Sequence, residues 1–99
     1  MINSDGSFTI RPFSMGTEKE AALKPLEEAA EAFGAWQEYK RCPTSTARER
    51  VYYECCDTMQ AVANLMSRLG AKERDFVSAF DDVELNNYAR GRYEGQSHD

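Results

Sequence analysis

Two pairs of acidic residues have a spacing that could bring four carboxylates together. Glu28 and Glu31 form one pair, and Glu54 and Asp57 form the other. Residues three apart lie on the same face of an α-helix, so each pair would project from one side of its helix. A cluster that offers only carboxylate oxygens suits a hard divalent cation such as Mg²⁺ or Mn²⁺.

The two pairs are also in mirror register about one turn. Glu31 and Glu54 are equally far, in sequence, from the boundary between Cys42 and Pro43. The outer members of the pairs, Glu28 and Asp57, are also equally far from this boundary. Both arms of a helical hairpin rise about 1.5 Å per residue, so equal sequence distances from the turn mean equal heights. Crowded carboxylates repel one another until a cation or a proton binds. The pattern therefore predicts a metal site, and the alternative is a set of solvated acids.

Helices must position these acids. The first is predicted from Thr17 to about Lys40, because Thr17 and Glu20 form a capping box. Pro25 interrupts its apolar stripe and predicts a kink or a fresh helix start nearby.

The second helix is predicted to begin at Thr46, with Glu49 completing a capping box, and to reach about Leu69, where Gly70 ends it. A third helix is predicted over about 72–90. Its buried side would consist of five apolar and aromatic residues: Phe76, Val77, Phe80, Val83 and Tyr88.

The expected fold is all-α, a helical hairpin plus a third helix. Residues 1–16 are predicted to be an irregular arm, 17–93 a helical domain and 94–99 a disordered tail. The apolar stripes exceed what three short helices can cover, so we expect a homodimer or homotetramer with a core like a four-helix bundle.

Composition excludes several classes of function. Acidic residues outnumber basic ones 17 to 12, which disfavours a nucleic-acid partner. No apolar run is long enough for a membrane span, and the N-terminal residues are not expected to form a signal peptide. The cysteines (Cys42, Cys55 and Cys56) are expected to be free thiols in the cytoplasm. With His98 as the only histidine, zinc, histidine-dependent nucleophilic and di-iron sites are disfavoured.

In its wider context the acidic pattern resembles the MazG-like and all-α dUTPase-like nucleotide pyrophosphohydrolases. Glu28-x-x-Glu31 is followed after 22 residues by Glu54-x-x-Asp57. Segment 26–31 resembles the family's Glu-Glu-x-x-Glu helix, and segment 54–65 its second metal-binding helix. Segment 87–93 resembles the Asn-x-x-Arg-Gly-Arg ending of the family, so the resemblance spans about residues 20–93.

The resemblance implies a Mg²⁺-dependent enzyme, with Mn²⁺ as an alternative, that hydrolyses a nucleoside triphosphate to a monophosphate and pyrophosphate in nucleotide-pool housecleaning. The metal ligands would be Glu28, Glu31, Glu54 and Asp57, and either Glu27 or Glu31 would be the catalytic base. Candidate substrate-binding residues are Asn64, Asn87, Arg90, Arg92 and Trp36. Each of these five also has a structural alternative, as a surface or core residue.

Two departures from the family pattern keep a second hypothesis open. Val83 stands where the family often has a phosphate-binding lysine, so one phosphate contact is either missing or supplied by Lys72, Lys24 or Arg68. The family's helix before the first acidic pair is also hardly present. The alternative is a non-catalytic helical interaction module that keeps the fold.

Overall fold

The chain folds into three α-helices, according to a computed structural model that describes residues 4–7, 9–14, 16–93 and 95. The helices are α1 (Glu18–Arg41), α2 (Ser45–Arg68) and α3 (Glu73–Ala89), and this part of the chain contains no strand. The all-α prediction is confirmed. None of these helices is long and apolar enough to cross a membrane. The predicted disordered tail lies outside the described residues, apart from Gly95.

α1 begins with the predicted capping box. The Thr17 hydroxyl accepts a hydrogen bond from the Glu20 N–H at 3.1 Å, and the Glu20 carboxylate accepts one from the Thr17 N–H. The helix continues through Pro25, so a fresh start at that position is wrong. An ion pair spans the proline, from Lys24 Nζ to Glu28 Oε1 at 3.4 Å, and supports the helix where one backbone donor is missing.

The N-cap of α2 lies two residues earlier than expected. Thr44, and not Thr46, is the N-cap, because its hydroxyl accepts a hydrogen bond from the Ala47 N–H at 3.0 Å. The predicted Thr46 capping box is therefore wrong. Both threonines can cap a helix, and the earlier start gives a longer helix immediately after Pro43, which cannot donate a backbone hydrogen bond.

The predicted stop of α2 at Gly70 is confirmed. Gly70 has a φ of +86°, its N–H bonds to the Ser67 carbonyl at 2.9 Å, and the Ala71 N–H bonds to the Met66 carbonyl at 3.0 Å. This pair of hydrogen bonds is a Schellman motif, which satisfies the last carbonyls of the helix. It also turns the chain away from the hairpin before α3 begins.

α1 and α2 pack against each other as an antiparallel hairpin, whereas α3 contacts neither of them. The side of α3 predicted to be buried is mostly exposed: 53% for Val77, 66% for Phe80, 54% for Val83 and 52% for Tyr88. The predicted burial is wrong for a single chain, because α3 points away from the hairpin. The radius of gyration, 16.3 Å, exceeds the value of about 13 Å expected for a compact domain of this length.

Few apolar side chains of the hairpin are buried in a single chain. Among the described apolar residues only Ala61 and Ala63 are buried, at 4% and 5% exposure. Large apolar side chains such as Leu26, Phe33 and Val62 remain exposed on the outside of the hairpin. A single chain therefore removes little apolar surface from water, which is the main source of folding free energy. The homo-oligomer stays a prediction.

Residues 9–14, here called the arm, lie along α2. Three α2 side chains on one helical face, each four residues from the next, hold the arm by hydrogen bonds. The bonds join Gln60 Nε2 to the Arg11 carbonyl (3.0 Å), the Phe13 N–H to Asn64 Oδ1 (2.9 Å) and Arg68 Nη1 to Ser14 Oγ (2.9 Å). The six residues of the arm form neither helix nor strand.

Candidate metal centre

The structure brings the four predicted acids together at the middle of the seam between α1 and α2. Glu28 and Glu31 on α1 and Glu54 and Asp57 on α2 each offer a carboxylate oxygen, and these four oxygens lie within 4.8 Å of one another. Opposite oxygens around Mg²⁺ are about 4.2 Å apart, at about 2.1 Å from the ion. Small side-chain rotations would therefore let all four residues ligate one divalent cation.

The inner side of this cluster contains two carboxylate oxygens without partners. Glu28 and Glu54 are buried, with 6% and 3% of their surface exposed. Oε2 of each has no hydrogen-bond partner within the described part of the chain. An unpaired carboxylate oxygen inside a protein is costly, because it has lost water and gained nothing in return. The donor set therefore fits a cation between the helices.

The other oxygens of the two buried glutamates are paired with cations. Lys24 Nζ lies 3.4 Å from Glu28 Oε1, and Arg50 Nη2 lies 2.7 Å from Glu54 Oε1. When ionised, the four acids and these two bases carry an excess of two negative charges, which one divalent cation would neutralise. Lys24 also reaches Glu27 Oε2 at 3.5 Å, and its hydrogen bonds to Glu28 and then Glu27 raise its pKa.

The electrostatics of the cluster favour proton binding at Glu28. Burial raises the pKa of Glu28, and the negative charges of Asp57 and Glu31 raise it further, against the opposing hydrogen bond from Lys24. A proton and a metal ion would thus compete for the same oxygens.

Two clefts flank the carboxylates along the seam. The arm-walled cleft lies toward the open end of the hairpin, and the turn-side groove lies toward the connection between α1 and α2. The arm-walled cleft is lined by Phe13, Ser14, Glu20, Ala21, Leu23, Lys24, Glu27, Ala61, Asn64 and Arg68. The turn-side groove is lined by Glu31, Gly34, Ala35, Glu38, Ala47, Arg50 and Glu54. Glu31 and Glu54 of the cluster line the turn-side groove, whereas the arm-walled cleft begins about one helical turn from Glu28 and Asp57.

Of the other predicted site residues on the hairpin, two line a cleft and one does not. Glu27 and Asn64 line the arm-walled cleft. The Asn64 side-chain oxygen already accepts hydrogen bonds from the Phe13 N–H and from Gln60 Nε2, both at 2.9 Å. Trp36 is 47% exposed and lines neither cleft; its ring stacks on Phe33 with centroids 5.6 Å apart.

The predicted substrate residues on α3 are not brought to the carboxylates within one chain. Asn87, Arg90 and Arg92 lie at the C-terminal end of a helix that does not contact the hairpin. Arg92 Nη1 instead donates to Asn87 Oδ1 at 3.0 Å. Within one chain these residues therefore lie apart from the cluster.

The three residues proposed to replace the missing lysine have other contacts. Lys24 pairs with the two glutamates, Arg68 donates to Ser14, and the Lys72 backbone N–H bonds to Asp75 at 2.8 Å. Lys24 and Arg68 nevertheless line the arm-walled cleft. Cys42, Cys55 and Cys56 are free and exposed, in agreement with the expected free thiols.

The roles of Arg50 and of the arm were not anticipated from the sequence. Arg50 precedes Glu54 by four residues, a spacing typical of ion pairs on a helix, so this ion pair could have been predicted from the sequence. The arm offers no such signal, because its partners on α2 are about 50 residues away. No protein-family model, curated protein or solved structure matches the chain, so its resemblance to the MazG-like enzymes stays a prediction.

Proposed function

We propose that this protein is a Mg²⁺-dependent nucleoside triphosphate pyrophosphohydrolase of the MazG-like type, with Mn²⁺ as an alternative metal. Its products would be a nucleoside monophosphate and pyrophosphate. The observation that supports this proposal is the pair of buried, unpartnered oxygens on Glu28 and Glu54, inside a cluster of four carboxylates. Such a cluster is strained without a cation, and phosphate chemistry depends on charge neutralisation more than on covalent help.

The reaction assigns different tasks to the residues of the cluster. Glu28, Glu31, Glu54 and Asp57 would hold the ion, which when bound supplies positive charge to the phosphate oxygens and to the attacking water. Glu31 or Glu27 would accept the proton of that water, whose oxygen forms a bond to the α-phosphorus. The bond from that phosphorus to the bridging oxygen breaks, and pyrophosphate leaves.

The active form would be a homodimer or homotetramer, in which α3 packs on the hairpin of another copy. The exposed apolar face of α3 and the exposed Leu26 and Phe33 of α1 support this arrangement. It would bring the partner subunit's Arg90 and the partner subunit's Arg92 toward the phosphates, where guanidinium groups bind bidentately. The setting would be nucleotide-pool housecleaning in the cytoplasm.

Release of pyrophosphate from standard, deoxy and modified nucleoside triphosphates, with Mg²⁺ or Mn²⁺, tests the proposal. Glu31→Gln and Asp57→Asn should each abolish turnover, because each removes a carboxylate from the cluster. Glu49→Gln changes an exposed glutamate of α2 outside the cluster and should keep full activity. If the folded wild-type protein turns over no nucleotide with metal present, the enzyme is excluded and the non-catalytic interaction module is favoured.

A further inference from the structure

The arm-walled cleft begins where the carboxylate cluster ends. On α2, Ala61 lies about one helical turn beyond Asp57 on the same face, and Asn64 lies about two turns beyond it. On α1, Lys24 lies about one turn before Glu28 and bridges the two regions through its ion pair. A molecule that reaches the carboxylates with one end can therefore extend into this cleft with the other.

The wall of the cleft carries an aromatic ring in a fixed position. Phe13 is 52% exposed, and its backbone N–H is held by Asn64 Oδ1 at 2.9 Å. The same oxygen accepts a hydrogen bond from Gln60 Nε2, which also holds the Arg11 carbonyl. The arm is thus fixed to α2 on both sides of Pro12, while the Phe13 ring keeps about half of its surface available to a ligand.

The remaining lining of the cleft is mixed in chemistry. Ala21 and Leu23 are apolar, Lys24 and Arg68 are cationic, and Glu20 and Glu27 are anionic. The cleft combines an aromatic ring and apolar side chains with charged groups of both signs, and its cation Lys24 lies on the side of the carboxylates. This set of features suits a flat, hydrogen-bonding ring system attached to an anionic chain.

We propose that the arm-walled cleft binds the nucleoside of the substrate, with the base stacked on Phe13 and the triphosphate extending past Lys24 to the four carboxylates. The proposal rests on the proposed pyrophosphohydrolase function and adds a recognition element to it. Phe13 is then a substrate-binding residue in a segment outside the three helices. Its ring contributes to affinity for nucleosides and not to binding of the phosphate chain alone.

Binding measurements separate the two ends of the substrate. Titration calorimetry with Mg²⁺ would compare α,β-imido analogues of the four standard deoxynucleoside triphosphates with inorganic tripolyphosphate, which has no nucleoside. Phe13→Ala should weaken binding of the preferred analogue about tenfold, the order expected for loss of one stacked base. Tripolyphosphate binding should change less than twofold. Phe13→Tyr, which retains a ring, should keep the affinity for the analogue.

Tyr52→Ala is the matched control, because Tyr52 is 58% exposed on α2 and lines neither cleft. It should leave both affinities unchanged. An equal loss for the analogue and for tripolyphosphate in Phe13→Ala, or no loss for either, would overturn the assignment of the cleft while leaving the enzyme intact. Absence of binding of every analogue to the wild-type protein, together with absence of turnover, would remove both proposals.

Discussion

Replacement of Glu54 by glutamine should stabilise the metal-free protein and abolish its response to Mg²⁺. Glu54 is 3% exposed, and one of its oxygens has no partner within the described residues. Glutamine keeps the shape of the side chain, removes one negative charge from the cluster and provides an N–H₂ group that can donate to a neighbouring carboxylate. A metal ligand of this kind is expected to lower the stability of the metal-free protein and to be required for stabilisation by the metal.

The size of the effect follows from the geometry. Two unit charges at 4.8 Å, the limit of the cluster, repel by about 3.5 kcal/mol at an effective dielectric constant of about 20. Arg50 pairs with Glu54 but is 67% exposed, so loss of that pair costs about 0–1 kcal/mol. Proton uptake by the cluster already relieves part of the repulsion. We therefore expect a net gain of about 2 kcal/mol, which raises Tm by roughly 10 °C in a domain of this size.

Thermal unfolding at fixed protein concentration, with a chelator or with excess Mg²⁺, measures the effect. Mg²⁺ at about 100 times its Kd should stabilise the wild type by about 2.7 kcal/mol and leave Glu54→Gln almost unchanged. The exposed-site control, Glu49→Gln, should follow the wild type within about 0.5 kcal/mol in both conditions. The reasoning would be refuted if Glu54→Gln melted at a lower temperature than the wild type in chelator. It would also be refuted if Mg²⁺ stabilised Glu54→Gln as much as it stabilises the wild type.

Three further outcomes are expected. Because the pKa of Glu28 is raised in the folded protein, its contribution to metal-free stability is complete below the ordinary glutamate pKa and is lost as pH rises through the raised value. Unfolding curves across that range should show this loss in the wild type and not in Glu28→Gln. Phe80→Asp, on the exposed face of α3, should shift the protein to monomers in light scattering, and an unchanged mass would exclude that face from the interface. Gly70→Ala should lower the metal-free stability by about 1 kcal/mol, because Gly70 has a positive φ. Gly34→Ala should raise that stability by up to about 1 kcal/mol, because position 34 is inside α1 and an added Cβ would meet open space. Urea titrations that show stability changes of the same sign for both variants would contradict this.

The hairpin and its carboxylate cluster were readable from the sequence because their determinants are local. A capping box starts α1, a glycine ends α2, and the acids recur at a spacing of three residues in mirror register about one turn. The start of α2 was misread, because Thr44 and Thr46 both satisfy the local rule for an N-cap. Local rules of this kind cannot choose between two adequate residues.

Features that depend on distant partners were out of reach. The periodicity of α3 indicates an apolar face that should be covered, but it does not identify the partner that covers it. In the single chain Phe80, on this face, is exposed to solvent. The attachment of the arm to α2 is not predicted, because no periodicity marks a segment that is held by Gln60 and Asn64, about 50 residues away. The sequence predicts Asn64 to bind substrate, whereas in the structure its side-chain oxygen accepts a hydrogen bond from the Phe13 N–H of the arm.

The way in which the arm is attached has a consequence for engineering. Gln60 binds a carbonyl and Asn64 binds an N–H, so two of the three attachments use backbone atoms that every residue except proline can provide. The side chain at position 13 can therefore be exchanged without loss of these attachments. A small library at this position could alter which ring systems are accepted while the helices and the carboxylates stay as they are. Ligand preference and scaffold integrity are, in this chain, separately adjustable properties.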